Sequence, residues 1–180
     1  MDPDTKNNSI HVSNQTSAFT VNEMSVRTIC RAIMTELGVG TFHLSVNFIP
    51  EDEVQSLNKK YREKNYATDV LSFPQSEFSH ALTHMLPHKP SSPSKSMPSL
   101  LGDLAICPSV AEQNARSIGH GLDRESAFLL LHGILHLCGH DHEELGEEEV
   151  MTNEQRYFMN FFESQHAIPL WKRCLVKRVA

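Results

Sequence analysis

The stretch "DRESAFLLLHGILHLCG", residues 123 to 139, constrains this chain more than any other. Its centre is apolar almost without interruption and too long for an ordinary strand. A helix greasy on nearly all sides must be surrounded by other elements, so it predicts a central, buried helix. The acids near its start suit a helix N-terminus, with Asp123 as the expected N-cap and Gly139 as the stop. Whatever this chain folds into is built around that segment.

The flanking pattern alternates strand and helix. "SIHVS" reads as a short strand. "VNEMSVRTICRAIMTELG" places Met24, Ile29, Ile33, Met34 and Leu37 at near-helical intervals. "FHLSVNFIP" alternates as a strand does up to Pro50, and "EDEVQSLNKKYREK" opens with acids that favour the positive end of a helix dipole. "TDVLSFP" and "LLGDLAICP" read as strands, "SVAEQNARSIG" as a short helix, and "EEEVMTNEQRYFMNFFESQ" as a last helix carrying Val150, Tyr157, Phe158, Phe161 and Phe162. Such interleaving predicts an α/β or α+β domain, and 180 residues suit a single one with its own core. Residues 75 to 99, rich in serine and proline without sustained periodicity, read as a loop insertion at the surface.

Composition narrows the function classes. A net charge of −6 argues against a protein that coats nucleic acid indiscriminately, since such binding depends on neutralising phosphates. A local basic groove is still allowed, because Lys59, Lys60, Arg62 and Lys64 crowd one stretch while Glu143, Glu144, Glu147, Glu148 and Glu149 crowd another. No apolar run reaches membrane-spanning length and the start "MDPDTKNNSI" is polar, so a cytoplasmic protein without a membrane partner is expected. Cys30, Cys107, Cys138 and Cys174 are scattered without a CxxC pair and read as reduced thiols.

The end of the apolar helix holds the chemistry. "HGILHLCGHDH", residues 132 to 142, contains four of the chain's eleven histidines. His132 and His136 stand one helical turn apart on one face, with Cβ atoms on the order of 6 Å from each other. Zinc takes imidazole nitrogens at about 2.0–2.1 Å in a tetrahedron, so a third ligand has to come from chain that turns back. Gly139 permits the turn, and His142 is then the natural third ligand. The spacing is that of the metzincin zinc motif, except that Gly133 stands where those peptidases keep a catalytic glutamate. Cys138 lies about 240° round the helix from His132 and reads as packing. His140 is not placed by spacing and leaves the openness of a fourth coordination position undecided. His80, His84 and His88 also recur every four residues, but Pro87 and Pro90 interrupt any helix there, which favours a solvated loop.

"HGILHLCGHDH" resembles the H-G-x-L-H-L-x-G-Y-D-H signature of the YbeY family, described as rRNA maturation factors or zinc-dependent endoribonucleases. "LNKKYREKNYATDVLSFP", residues 57 to 74, and "LLGDLAIC" are similar to the family's other characteristic segments, in the same order. The resemblance runs from about residue 9 to residue 165 and departs from the pattern at His140, at Ala67 and in the long 75–99 loop.

The resemblance implies a small α+β domain with a mixed four-stranded sheet, and one Zn²⁺ held by His132, His136 and His142. It also implies a functional arginine at Arg62. Arginine's planar fork matches phosphate oxygens, and Lys59, Lys60 and Lys64 can hold flanking RNA backbone. Zinc with an open position activates water and withdraws charge from a phosphoryl oxygen, so the missing glutamate matters less for RNA than for a peptide. Water and a ribose 2′-hydroxyl both stand as candidate nucleophiles. Asp141 and Glu143 are candidates for orienting a ligand or relaying a proton, and Asp103, like Asp141, for supporting the ligands from behind; structural roles are equally open to these acids.

The function implied is single-strand-specific endoribonuclease activity in 16S rRNA 3′ end maturation and ribosome quality control. Its implied partners are rRNA, the small subunit, ribosomal protein S11 and the Era GTPase. Two alternatives stand beside it: a non-catalytic ribosome-assembly factor with a structural zinc, and, disfavoured by Gly133, a metallopeptidase.

Overall fold

The computed structural model describes residues 8–78, 81–84, 99–140, 146–164 and 169–171. Chain order is β1 (Ser9–Asn14), α1 (Glu23–Glu36), β2 (Phe42–Phe48), α2 (Glu51–Arg62), β3 (Val70–Pro74), β4 (Ser99–Ile106), α3 (Pro108–Ile118), α4 (Leu122–Leu137) and α5 (Glu147–Ser164). The strands form one mixed sheet in the order β1-β2-β4-β3. β1 and β4 run parallel to β2, while β3 runs antiparallel to β4 and forms an edge. This is the α+β domain with a four-stranded mixed sheet that the family resemblance implies.

The two faces of the sheet differ, because side chains alternate along a strand. Leu44, Val46 and Phe48 of β2 and Leu104 and Ile106 of β4 point to one face, where they join Ile29, Ile33, Leu130, Ile134 and Phe158 in the main core. That face is covered by α1, α4 and α5. The opposite face carries a smaller cluster of Ile49, Val54, Leu71, Ala105 and Cys107 beneath α2. α4 is the most buried helix: Leu130, Leu131, Ile134, Leu135 and Leu137 are all fully enclosed. Its closeness to the sheet depends on Gly133, where an added Cβ would lie 2.7 Å from Leu104 Cδ2 and 3.3 Å from Ser72 Oγ.

Several local expectations are corrected. The N-cap of α4 is Gly121, not Asp123. The Asp123 carboxylate instead accepts from the backbone N–H groups of Leu170 (2.7 Å) and Trp171 (3.1 Å), tying the far end of the chain to this helix. Met24 and Val150, assigned to apolar faces by spacing, are exposed, and α5 is anchored through Met151, Phe158, Met159 and Phe162. The 75–99 segment is not wholly a solvated excursion, since Leu82 is buried and its N–H donates to the Cys138 carbonyl at 3.1 Å. His84 is seated too: its ring meets both Glu154 carboxylate oxygens at 2.9 Å and stacks on Tyr157 at 3.7 Å. His80 and His88 lie outside the described residues.

Cys30, Cys107 and Cys138 are free and buried, while Cys174 lies outside the described residues. Burial pushes the thiols of Cys30 and Cys138 up to about 12. At pH 8 their thiolate fraction is then about one in ten thousand, and the thiolate is the reactive form. Iodoacetamide at pH 8 is expected to leave both unmodified in the native protein and to label both after denaturation, as read by peptide mass spectrometry.

Candidate metal centre and cleft

α4 ends at Leu137, and Gly139 follows with φ = 90°, a left-handed conformation that an L side chain resists. The turn is closed by hydrogen bonds from Gly139 N to the His136 carbonyl (3.1 Å) and from His140 N to the Leu135 carbonyl (3.0 Å). It folds the His140 carbonyl back over the helix end, where His136 Nδ1 meets it at 2.9 Å. A carbonyl can only accept, so Nδ1 of His136 carries the proton and Nε2 presents a lone pair.

His132, one turn earlier, directs its Nε2 to within 3.2 Å of His136 Nε2. Two nitrogens at zinc's usual bond length and a tetrahedral angle stand about 3.3 Å apart. The pair therefore fits two ligands of one ion. Behind it, His132 Nδ1 meets Gln155 Nε2 of α5 at 2.9 Å. Outer partners of this kind fix ring orientation in metal sites. Among the described residues no three His, Cys, Asp or Glu side chains converge. The expected third ligand, His142, lies outside the described residues, as do Asp141 and Glu143.

The ring of His140 is buried, and its Nε2 meets the Leu82 carbonyl at 2.7 Å, which occupies that nitrogen away from the imidazole pair. Leu82 thus uses both backbone groups on the end of α4. Cys138 is fully buried in the core, as its angular position predicts. Asp103 is corrected as a support for the ligands. It alternates with Gly102 and Leu104, which face α4, and so lies on the other side of the sheet. There its Oδ2 accepts from Gln75 Nε2 at 2.6 Å.

A cleft of about 930 Å³ opens beside His136, along edge strand β3. Its walls bring His136, Gly139 and His140 from the end of α4 together with Arg62 and Lys64 from the end of α2, and with Ser72, Pro74, Ser76, Glu77 and Phe78. Arg62 is the last residue of α2, and Glu63 closes the helix in the left-handed region at φ = 59°. That bend delivers Lys64 to the same cleft two residues later. Lys59 and Lys60 are exposed in the last turn of α2 and are not among the lining residues. Their charges complement the helix C-terminus, and Lys60 Nζ sits 4.9 Å from the Tyr61 ring centroid.

Sequence reasoning missed four contributors. Gln155 has no spacing relation to the histidine motif, and only the packing of α5 on α4 reveals it. The Leu82 carbonyl carries no sequence signal at all. Glu77 and Phe78 lie two residues beyond "TDVLSFP" and were legible only as part of an irregular segment.

The fold and cleft define a class: a one-domain α+β protein whose buried helix pairs two imidazoles, one of which lines a cleft with a cationic wall. The comparisons then identify the group within it. The family model described as Endoribonuclease YbeY matches residues 9–163, and the chain belongs to the YbeY family.

Among curated relatives, the protein named Endoribonuclease YbeY of Staphylococcus saprophyticus is 41% identical over 119 residues, covering 66% of this chain and 71% of the relative. Its namesake in Halalkalibacterium halodurans is 38% identical over 120 residues, covering 67% and 72%. The solution structure of TM1509 from Thermotoga maritima shares the fold, with a TM-score of 0.56 at 23% identity over 88% of this chain and 95% of that one. No helix among the described residues is long and apolar enough to cross a membrane.

Proposed function

We propose that this chain is a zinc-dependent endoribonuclease that cuts single-stranded RNA in the cleft between the end of α4 and the end of α2. One observation carries the reading: His136, Arg62 and Lys64, from helices covering opposite faces of the sheet, line a single cavity. Membership of a family whose curated relatives bear the endoribonuclease name supports it.

His132, His136 and His142 would hold the ion, which when bound supplies a Lewis acid that lowers the pKa of water and withdraws charge from a phosphoryl oxygen. The rest falls to the chain. Arg62 offers two parallel N–H donors to the non-bridging oxygens of the scissile phosphate, fixing it in plane and balancing charge that grows as the bond breaks. Lys64 holds a neighbouring phosphate as a point charge. A flexible strand can curve its backbone into the cleft and seat one phosphate beside Arg62, whereas duplex RNA keeps its phosphates on a stiff helix and would first have to open.

Gly133 removes the basis for a peptidase, since the position that would need a glutamate is packed against Leu104 and Ser72. Within the same proposal, the substrate is 16S rRNA during 3′ end maturation and ribosome quality control in the cytoplasm. The small subunit, protein S11 and the Era GTPase are its partners, and the family resemblance is what supports these assignments.

The test uses the purified full chain with a labelled single-stranded RNA and its duplex. Cleavage of the single strand is expected to stop with a chelator and return with zinc. Arg62→Ala is expected to lower kcat/KM by about 10²–10³, the usual loss when one preorganised donor is removed. Cleavage that continues in the chelator, or an Arg62→Ala variant as active as the parent, would overturn the proposal.

A further inference from the structure

We propose that Gln155 is a positioning residue for His132: its amide holds the imidazole in one tautomer without a metal ion and in the other with it. The inference rests on the zinc reading above and extends it to a residue on another helix.

The argument starts at His136. Its Nδ1 meets the His140 carbonyl at 2.9 Å, so Nδ1 is the protonated nitrogen and Nε2 is an acceptor. His132 Nε2 lies 3.2 Å from that acceptor. Two lone pairs do not face each other at this distance, so without an ion His132 Nε2 carries hydrogen and donates. Neutral His132 then has a bare Nδ1, and Gln155 Nε2 stands 2.9 Å from it as a donor. One directional chain results, from the Gln155 amide through His132 and His136 to the His140 carbonyl.

A cation held by both Nε2 atoms requires the opposite tautomer of His132. The Nε2 proton leaves to water and Nδ1 takes one up from water, so the ring stays neutral. Nδ1–H now points at Gln155, and the amide must present oxygen where it presented nitrogen. Half a turn about the last side-chain bond does this, since the two ends of an amide have nearly the same shape. A carboxylate could only accept, an ammonium could only donate, and an apolar side chain could do neither.

The local structure suits such a partner. α5 is held on both sides of Gln155, by buried Met151 and Phe158 and by Glu154, which binds the backbone N–H of His84 at 3.1 Å as well as its ring. The backbone at Gln155 is therefore fixed, and the terminal amide is the part left to turn.

The experiment titrates zinc into the metal-free full chain by calorimetry and reads the His132 tautomer by ¹⁵N NMR of histidine-labelled protein. His132 is expected to carry its proton on Nε2 without zinc and on Nδ1 with it. Gln155→Leu is expected to bind zinc about 10–100-fold more weakly, the usual loss on removing an outer partner of a ligand. Gln155→Glu, which accepts but cannot donate, is expected to bind at least as tightly as the parent. It thereby separates tautomer control from mere packing. If the parent binds zinc and Gln155→Leu binds it equally well, or if His132 keeps one tautomer throughout, the assignment is overturned while the zinc reading stands. If the parent binds no zinc, both fall.

Discussion

Replacing His136 by alanine is expected to abolish zinc binding and RNA cleavage together while leaving the fold intact. His136 sits at the centre of the candidate site: its Nε2 faces His132, its Nδ1 is held by the His140 carbonyl, and its ring lines the cleft. Three imidazoles are the usual protein share of a catalytic zinc shell, and without His136 the proposed set falls to two, only one of them on α4. The cleavage rate is expected to fall by at least about 10³-fold, equivalent to roughly 4 kcal/mol of transition-state stabilisation. The structural cost is small by comparison, since one hydrogen bond contributes about 1 kcal/mol net and the core-forming side chains of α4 are untouched. Metal analysis, circular dichroism and a cleavage assay on one preparation would show it. A folded, metal-free variant that still cuts RNA would remove the imidazole pair from the chemistry.

The second large effect is expected at Gly133, where glutamate would recreate the zinc-peptidase pattern in the sequence. The outcome should be loss of the fold, not gain of a peptidase. The first added carbon already meets Leu104 Cδ2 at 2.7 Å, and Leu104 is fully enclosed and has nowhere to swing. Overpacking of this kind costs about 1–3 kcal/mol, and burying a carboxyl with only the Ser72 hydroxyl beside it adds several more. A total of about 4 kcal/mol or more is a large share of the stability of an ordinary domain. Gly133→Ala should cost far less, because alanine's better helix propensity returns up to about 1 kcal/mol. Chemical denaturation of the two variants would separate them, and a Gly133→Glu protein as stable as the parent would contradict the packing described here.

The burial of α4 and the pairing of its two histidines were legible in the sequence because both follow from one helical period. Near-continuous apolar residues marked the centre of the core, and the same period set His132 and His136 on one face, where the structure brings their Nε2 atoms to 3.2 Å. Gly139 was readable for the same reason, as a backbone conformation that few other residues adopt. Arg62 came only from family resemblance. On a charged helix its identity says nothing about where the helix end points, and the cleft is made by tertiary packing of α2 and α4 around β3.

What stayed hidden has a common physical cause. Asp103 looked like a support for the ligands because it is an acid in a characteristic segment, yet strand alternation puts it on the far side of the sheet with Gln75. Asp123 has the right chemistry for an N-cap, but the backbone of Leu170 and Trp171 claimed its carboxylate. His84 looked solvated within a serine- and proline-rich run, and an acid seventy positions away gave it a buried partner. His140 found its partner in a backbone carbonyl, which no sequence pattern encodes. Each miss is a long-range pairing between polar groups, and local periodicity carries no information about those.

The imidazole pair rides on the most enclosed helix of the domain, and that placement governs how it can be reached. A helix with most of its apolar residues in the core exposes its backbone chiefly when the whole domain opens, so it does not fray in the way surface helices do. The last turn of α4 is further clamped by Leu82, which takes the Cys138 carbonyl with its N–H and the His140 ring with its own carbonyl. Traffic to His136, of ions inward or of cut strands outward, then passes along the β3 side. The traffic's rate is a property of that doorway and not of any breathing of the scaffold beneath it.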